Sequence, residues 1–498
     1  MESIFNKIYL NPELEIFIRK INPWWVGELQ TEIPEYRRVV FRTLLRMLES
    51  NLAKITALRG PRQVGKTVLQ RQTIEELIRN RGVDSKRIFY VSFDDIPSLR
   101  RYEEPILSLC YWYEDNILKE SFNSASRKGE PAYLIFDEMQ NLDSWPEQMK
   151  ALVDNNDVKV LITGSSSLKI EMGRESLAGR VATINIGTLL LREIGAIRGL
   201  EEIPFYHEGN HLGELKKKEF WVGFCEYGRK YSAFRKKAFR YFSERGGYPI
   251  AQKESSAPWE EIADRLKETV IDRVIRKDLR FGEKGRRRDP ELLEEVYRMC
   301  CRYAGQSPSL ILFSREIKST LNADISSQRV RYYLDFLAMS LLIQLIPPLE
   351  IRLKKRKSPN KIALCDLGFR SAWLQEEVPL DPVALKNKPH LTDLAGYLAE
   401  SVLGYFLMNI PNLDVAYFPK RAEEGEIDFI LTIGTQRIPI EVKYKTNINK
   451  DDIKNLVAFI DKPVYEAHFG IIITQDYIKE NLDPRIVQIP LSTFLLLK

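Results

Sequence analysis

A glycine-rich stretch between an apolar run and a helix-forming run is the feature that most constrains this chain. The segment "TALRGPRQVGKTVLQRQ", residues 56–72, places Gly60, Gly65, Lys66 and Thr67 at the spacing G-x4-G-K-T. Glycines let the backbone curl so that successive N–H groups converge, and the following helix adds the partial positive charge of its N-terminus. A strand, such a loop and a helix in this order predict a phosphate-binding loop in an α/β fold.

The residue types of this loop predict ATP and Mg²⁺ as ligands. We expect Lys66 to reach the β and γ phosphates and Thr67 to ligate Mg²⁺. The predicted nucleotide contacts within the loop are Gly60, Pro61, Arg62, Gln63, Val64, Gly65, Lys66, Thr67 and Val68.

Two later strand ends carry the polar groups that such a site requires. In "AYLIFDEMQNL", residues 132–142, four apolar residues precede Asp137 and Glu138. We expect Asp137 to hold Mg²⁺ through its water shell and Glu138 to polarise the attacking water. The alternative is a buried strand that ends in two solvated acids. In "VLITGSSS", Thr163 or Ser165 is expected to sense the γ-phosphate from a central strand between the other two.

Arg174 and Arg180, in "GRESLAGR", follow that third strand. Either arginine can stabilise transition-state charge on a nucleotide held by a neighbouring subunit. Such a role predicts a homo-oligomer, with a ring as one arrangement. The alternative for each is an ordinary surface arginine.

Length and composition limit the class of protein. At 498 residues the chain is expected to hold about three domains. Hydrophobic residues at 44% and charged residues at 29%, without a long apolar segment, predict a globular protein with no membrane span. The N-terminus lacks the pattern of an export signal, which predicts the cytoplasm. Five scattered cysteines argue against a disulfide framework and a zinc site.

Alternating short apolar runs and helical stretches between residues 54 and 187 predict a parallel sheet with helices on both faces. Residues 188–235 look irregular, which suggests an insertion or a link. Between about 290 and 357, three short helical patterns precede a basic ribbon, and this order is typical of a winged helix. The region from about 390 onward predicts an α/β module.

A second candidate site lies near the C-terminus, in residues 424–446. Asp428 begins a β-run, and Glu441 and Lys443 share one face of the strand that returns after the turn. Two carboxylates in such a hairpin suit Mg²⁺, and the adjacent cation can activate water or steady a phosphate. Glu400 lies in an apolar helix upstream, where burying a lone carboxylate is costly, and is a candidate fourth member. The spacing Asp-x12-Glu-x-Lys is weak on its own, but the hairpin and this helix make it more specific.

These motifs together resemble a large prokaryotic family of AAA-type ATPases fused to a C-terminal PD-(D/E)XK nuclease-like domain. The resemblance rests on "GPRQVGKT", "YLIFDEMQN", "ITGSSS", "LAGRV", "RGGYP" and "EIDFIL…IPIEVKYK", and covers most of residues 40–475. It implies nucleotide binding by Gly65, Lys66 and Thr67, magnesium and water handling by Asp137 and Glu138, and sensing near Ser165. It implies a nuclease site of Glu400, Asp428, Glu441 and Lys443, with the first three as metal ligands. Ile427 replaces the proline expected before the first catalytic aspartate.

The resulting domain hypothesis has five parts. They are an N-terminal helical segment (1–50), an AAA-type ATPase core with an insertion near 200–235 (51–235), a helical lid (236–282), a winged helix (283–358) and a nuclease-like α/β domain (359–498).

Two functions remain open at this point. The first is an ATP-hydrolysing protein that binds and processes double-stranded or branched DNA, with a Mg²⁺-dependent endonuclease or exonuclease domain. Its predicted phosphate contacts are Arg329, Arg331, Arg352, Lys354, Lys355, Arg356 and Lys357. The second is a nucleotide-controlled signalling or defence switch whose nuclease-like domain only binds.

Overall fold

The structure is a computed structural model, and it divides the chain into two compact units, residues 1–186 and 187–498. It describes residues 10–28, 33–95, 99, 102–139, 142, 144–164, 177–207, 212–277, 289–350, 358–421, 424–478 and 482–498. Within these ranges, no helix combines the length and apolar character that crossing a bilayer requires.

The first unit is an α/β layer structure. Its helices α1 to α6 are Pro12–Ile21, Val40–Glu49, Lys66–Arg79, Pro105–Tyr113, Phe122–Arg127 and Trp145–Asn155. Its strands β1 to β5 are Ile55–Arg59, Ile88–Ser92, Tyr133–Asp137, Lys159–Gly164 and Val181–Asn185.

These five strands form one parallel sheet in the order β2-β3-β4-β1-β5. β2 and β3 are buried along their whole length, as expected of strands covered by helices on both faces. The predicted parallel sheet is therefore confirmed, and β4 lies between β1 and β3 as expected. Because the carboxyl ends of parallel strands share one edge, the P-loop after β1, Asp137 on β3 and Thr163 on β4 come to the same edge.

The segment after α1 covers the outer edge of β2. The side-chain amide of Asn22 accepts from the Tyr90 N–H at 2.8 Å and donates to the Tyr90 carbonyl at 2.9 Å. The indole N–H groups of Trp24 and Trp25 both donate to the Ile88 carbonyl, at 3.0 and 2.8 Å. Side chains therefore pair with backbone groups of β2, which has no strand neighbour on this side among the residues that the structure describes.

The second unit contains helices α7 to α20 and strands β6 to β12. The helices are Leu191–Ile197, Leu212–Leu215, Lys218–Lys230, Ser232–Arg245, Pro249–Lys253, Trp259–Leu266, Pro290–Arg302, Leu310–Leu321, Ser327–Met339, Leu367–Leu374, Pro382–Lys386, Thr392–Met408, Lys450–Ile460 and Leu491–Phe494. The strands are Ile343–Ile346, Lys361–Leu364, Asp414–Phe418, Ile427–Ile433, Gln436–Val442, Gly470–Thr474 and Ile486–Pro490.

The irregular region expected over residues 188–235 is wrong for much of its length, because α9 (Lys218–Lys230) is a regular helix. Trp221, Phe224 and Tyr227 recur every three residues and form one buried face of α9. The Trp221 ring stacks on Phe494 of α20 with centroids 5.4 Å apart. The compact units divide after residue 186 rather than near 235, and the five-part domain hypothesis stays a prediction.

Helices α13 to α15 precede a two-stranded antiparallel ribbon, β6–β7, in which Ile346 is opposite Lys361. This order of three helices and a ribbon is the one that the sequence pattern indicated.

The C-terminal sheet is mixed, with strand order β12-β11-β10-β9-β8. β8, β9 and β10 are antiparallel to one another, whereas β10, β11 and β12 run parallel. The parallel connection from β10 to β11 passes through α19 (Lys450–Ile460), which packs on the sheet through Leu456 and Phe459. Helix α18 (Thr392–Met408), which carries Glu400, packs against β8 and β10 of this sheet.

The "RGGYP" segment turns sharply against a buried carboxylate. Gly246 has φ 73°, and a Cβ there would lie 2.0 Å from Asp366 Oδ1, so only glycine fits. The Gly247 N–H donates to Asp366 Oδ2 at 2.6 Å, and the Gly368 N–H donates to Oδ1 at 2.7 Å. Burial raises the pKa of Asp366 to about 7, although both hydrogen bonds favour the charged form.

Candidate nucleotide site and acidic cluster

The P-loop has the strained backbone that its sequence requires. Gly65 has φ 97° and caps the N-terminus of α3, where side-chain-bearing residues are disfavoured. A Cβ on Gly60 would lie 2.4 Å from both the Cγ2 and the carbonyl oxygen of Ile186. The buried ammonium of Lys66 donates to the carbonyls of Gly60 at 2.9 Å and Pro61 at 2.8 Å. The loop therefore closes around a lysine amine at the start of a helix.

Burial of one loop residue and a hydrogen bond from an arginine outside the loop stabilise the rest of the loop. Val64 is fully buried, and Gln63 takes a positive φ of 60°. The guanidinium of Arg38, in the segment before α2, donates to the Val64 carbonyl at 3.1 Å. Arg38 was missed by sequence reasoning, because nothing in its local pattern links it to a loop 26 residues later.

Asp137 is the centre of a hydrogen-bond cluster at the edge of the sheet. The Thr67 hydroxyl donates to Asp137 Oδ2 at 2.7 Å, and the Thr163 hydroxyl donates to Oδ1. The Tyr90 hydroxyl, also missed from the sequence, lies 3.4 Å from Oδ2. Burial and the adjacent Glu138 charge raise the pKa of Asp137, while the two threonine hydroxyls oppose this effect.

Glu138 has an unusual backbone conformation. Its φ is 54°, which is rare and costly for a residue with a side chain. Its N–H lies 3.1 Å from Asp137 Oδ1 and 3.3 Å from the Thr163 hydroxyl, so the neighbouring strand end supports this conformation. Strain of this kind tends to cluster at functional sites.

These residues fit a nucleotide and its magnesium ion. The loop offers a buried ammonium and helix N–H groups for phosphates, and a threonine hydroxyl and a carboxylate, both oxygen ligands that magnesium takes, lie 2.7 Å apart. Thr67 and Asp137 would hold Mg²⁺, and the ion would neutralise charge on the phosphates when bound. Arg62 lies in the loop and Val68 in the first turn of α3, and both are partly exposed.

The candidate trans-acting arginines are only partly described. Arg180 directly precedes β5 and pairs with Asp154 through Nε at 2.6 Å and Nη2 at 3.0 Å. β5 is five residues long and parallel to β1, so Arg180 lies at the edge opposite the P-loop, roughly 15 Å away along the strand. It is therefore remote from the nucleotide site of its own chain. Ser165 and Arg174 lie outside the described residues.

In the second unit, the four predicted polar residues of the C-terminal module come together. Glu400 belongs to α18, Asp428 to β9 and Glu441 to β10, and Lys443 follows β10 directly. Lys443 Nζ lies 2.6 Å from Glu441 Oε1. Asp428 Oδ2 accepts from the N–H of Val442 at 2.8 Å. The hairpin thus presents its carboxylates toward the helix that carries Glu400.

Lys361, at the start of β7, is a fifth member that sequence reasoning missed. Its Nζ lies 3.0 Å from Glu400 Oε2 and 2.9 Å from Asp428 Oδ1, with Glu426 Oε1 at 3.4 Å. From the sequence, a lysine at the start of a ribbon strand is expected to lie at the surface, yet Lys361 is 1% exposed. Its contacts come from two elements more than 35 residues further along the chain.

The ionisation of this cluster is strongly perturbed. Burial and the negative charge of Asp428 raise the pKa of Glu400, and the same two causes raise the pKa of Glu441 to about 8. Although burial opposes it, the ammonium of Lys361 holds the pKa of Asp428 below its usual value. Burial also opposes the charged form of Lys361, but Asp428, Glu400 and Glu426 raise its pKa. An ionised Asp428 and a charged Lys361 therefore form the centre of the cluster.

In this arrangement the cluster does not fit a divalent metal ion. Across the described ranges, no group of three or more His, Cys, Asp or Glu side chains is placed to hold a metal. The ammonium of Lys361 is already bonded to the Glu400 and Asp428 oxygens that would coordinate one. Glu441 Oε2 is buried without a hydrogen-bond partner among the described residues. We derive no metal-dependent step from this geometry.

The predicted phosphate contacts of α15 (Ser327–Met339) are two arginines. Arg331 is exposed, and Arg329 is partly exposed with a hydrogen bond to the Tyr333 hydroxyl at 3.2 Å. Arg352, Lys354, Lys355, Arg356 and Lys357 lie outside the described residues.

Comparison with protein-family models identifies one known domain and two without an assigned function. Residues 52–195 match an AAA domain, and residues 236–379 and 396–494 match two separate domains of unknown function. The first match agrees with the strand order and the P-loop. Residues 52–195 are a P-loop ATPase domain of the AAA type.

Relatives of similar length are themselves uncharacterized proteins. One from Methanocaldococcus jannaschii is 25% identical over 90% of this chain and 86% of its own length. One from Haemophilus influenzae is 23% identical over 89% of this chain and 94% of its own length.

Solved structures resemble the chain at low similarity. The Aeropyrum pernix ORC2 protein is 14% identical, with a TM-score of 0.36, covering 64% of this chain and 90% of its own. A Walker-type ATPase of Pyrococcus abyssi is 16% identical, with a TM-score of 0.36, covering 70% of this chain and 99% of its own.

Proposed function

We propose, starting from the AAA-type P-loop ATPase domain of residues 52–195, that this protein binds and hydrolyses ATP. Hydrolysis would act as a nucleotide-controlled switch, and the C-terminal module would serve as a binding domain rather than as a metal-dependent nuclease. In this proposal Lys66 and the loop bind the phosphates, Thr67 and Asp137 hold Mg²⁺, and Glu138 orients and deprotonates water.

The observation that carries the proposal is the meeting of Thr67, Asp137 and Thr163 at one sheet edge, directly beside the P-loop lysine. Hydroxyl and carboxylate groups from the first turn of α3 and from the ends of β3 and β4 converge there. A buried strand with two merely solvated acids would not place Asp137 between two threonine hydroxyls.

The test is phosphate release from ATP by the purified chain with Mg²⁺. We expect Glu138→Gln to keep ATP binding and to lose turnover, because the amide cannot accept a proton from water. We expect Lys66→Ala to lose binding itself. Glu147→Gln is the matched control, because Glu147 is an exposed acid of the next helix and should leave turnover unchanged. Normal turnover in Glu138→Gln would contradict the assigned role.

A homo-oligomer belongs to the same proposal. Arg180 lies at the sheet edge opposite its own P-loop, which is compatible with a role toward a neighbouring subunit. Turnover per chain should then rise with protein concentration as subunits assemble, and analytical ultracentrifugation with nucleotide should show the assembly. Constant turnover per chain across that range would exclude a shared site.

DNA processing is the second candidate function, favoured by the exposed Arg331 on α15, the last helix before the ribbon. This helix and ribbon would form a winged helix that contacts the DNA backbone. Binding of a labelled duplex should weaken with salt, and Arg331→Ala should reduce the slope of log affinity against log salt by about one. Lys318→Ala, on the neighbouring helix, is the control. Binding that does not respond to salt would remove DNA from this role.

Cutting of DNA would be an additional property of the C-terminal module, favoured by the meeting of Glu400, Asp428, Glu441 and Lys443. Labelled DNA incubated with the protein, ATP and Mg²⁺ tests it directly. Cleavage that is lost in Asp428→Asn would support a nuclease, whereas intact DNA alongside normal ATP hydrolysis would support the binding module.

A further inference from the structure

Lys361 lies where the acidic cluster would need a metal ion. Its ammonium bonds to one carboxylate oxygen from α18 and one from β9, at 3.0 and 2.9 Å. Asp428 is buried at 7% exposed, and the Glu400 side chain is 14% exposed. A cation inside such a cluster neutralises charges that would otherwise be very costly to bury.

The backbone of β7 (Lys361–Leu364) fixes the position of this lysine. Lys361 is opposite Ile346 in the β6–β7 ribbon. The Leu364 N–H donates to the Ser401 hydroxyl at 2.9 Å, and Ser401 is the residue next to Glu400. The strand that carries the ammonium is therefore tied to the helix that carries the carboxylate.

Aromatic rings complete the surroundings of the ammonium. Lys361 Nζ lies 5.6 Å from the ring centroid of Tyr417 and 5.3 Å from that of Phe429. Both distances fall within the range of cation–π attraction, which suits a buried ammonium. Carboxylate oxygens and aromatic rings therefore both stabilise the ammonium of Lys361 at this position.

A divalent ion and this ammonium cannot share the same Glu400 and Asp428 oxygens. Magnesium or calcium would take the same Glu400 and Asp428 oxygens at about 2.0–2.6 Å, which leaves no room for the lysine amine bonded to them. Like charges at such a separation also repel strongly in a buried site. At these two oxygens, one of the two cations must be absent when the other is present.

We propose that Lys361 is the resident cation of this cluster and excludes divalent ions from Glu400 and Asp428. The C-terminal module then keeps its carboxylates together without a metal. This inference does not depend on ATP hydrolysis, and it concerns only which cation the second unit holds.

The experiment is a Mn²⁺ titration of the nucleotide-free full-length protein, in which free Mn²⁺ is followed by electron paramagnetic resonance. Wild type and Asp428→Asn should bind Mn²⁺ equally, because Asp428 is not a ligand. Lys361→Ala should gain about one Mn²⁺ per chain, at least tenfold tighter than any wild-type binding, since vacated carboxylates attract a divalent ion. Lys361→Ala/Asp428→Asn should lose that gain. Lys361→Arg is the matched control, because it keeps a cation and should gain nothing.

Two results would overturn the proposal. The first is a Mn²⁺ ion bound by wild type and lost in Asp428→Asn. The second is a folded Lys361→Ala variant that gains no ion. If Lys361→Ala does not fold without metal, its circular dichroism with Mn²⁺ still decides: recovery supports the proposal and failure to recover contradicts it. Mn²⁺ binding by wild type and by Asp428→Asn can be compared without any Lys361 variant. This comparison would stand even if the proposed ATP hydrolysis were not observed.

Discussion

Replacement of Thr163 by valine tests how the nucleotide site is organised. The Thr163 hydroxyl donates to Asp137 Oδ1 and lies 3.3 Å from the Glu138 N–H. Valine has nearly the same shape but no hydroxyl, so the strand should keep its packing. Asp137 would lose one of its two threonine donors. The Glu138 N–H would lose its contact with the Thr163 hydroxyl, which supports the backbone conformation of Glu138.

The size of the effect follows from the lost hydrogen bond. Thr163 is fully buried and its partner is a buried carboxylate, so no water replaces the hydroxyl. A hydrogen bond to a charged group contributes about 1.5–3 kcal/mol. If this bond positions Asp137 during turnover, the rate should fall roughly 10- to 150-fold, since each 1.36 kcal/mol is a factor of ten.

Steady-state phosphate release and nucleotide binding without Mg²⁺ separate the possible outcomes. Thr163→Val should lose turnover while its Mg²⁺-free binding of a fluorescent ADP analogue stays unchanged, because the loop and Lys66 are untouched. Thr163→Ser keeps the hydroxyl and should restore most of the rate. Wild-type turnover in a folded Thr163→Val variant would refute the role assigned to this strand end.

Three further perturbations probe other parts of the chain. Because burial raises the pKa of Asp366 to about 7, the folded chain keeps a proton that the unfolded chain releases above about 4. Stability should therefore decline by roughly 4 kcal/mol as pH rises from 4 past 7, and Asp366→Asn should flatten that decline in urea unfolding. Gly60→Ala should abolish nucleotide binding in a fluorescence titration, since its Cβ would meet the backbone of Ile186 at 2.4 Å. Arg180→Ala should lower turnover of the assembled protein without changing its thermal midpoint, whereas Asp154→Asn, which breaks the same ion pair, should leave turnover intact.

The arrangement of residues at the candidate nucleotide site could be predicted in large part, because each of its parts is local in sequence. Each strand end has its own sequence pattern. These patterns are the spacing of the loop, the apolar run before Asp137 and the strand that ends near Thr163. A parallel sheet then brings these ends to one edge without further information. Arg38 and Tyr90 could not be found this way, because their contacts depend on tertiary packing.

The acidic cluster was predictable only in part for the same physical reason. The alternation of side chains along the hairpin strands predicted that Asp428 and Glu441 lie together. Glu400 was a candidate because it is a lone carboxylate in an apolar helix. Lys361 comes from a different element, and its burial depends on how β7 packs against α18. The aromatic spacing of α9 was readable in the sequence, but the glycines and lysines around it suggested an irregular region.

The cover on β2 has a consequence for work on the ATPase domain alone. An edge strand with bare N–H and C=O groups is a template for pairing with other chains. A fragment that begins at residue 52, where the family match starts, would lack Asn22, Trp24 and Trp25. It would expose the Tyr90 and Ile88 backbone together with the aromatic surface beneath, and should precipitate or self-associate, whereas a fragment that begins near residue 10 should remain dispersed.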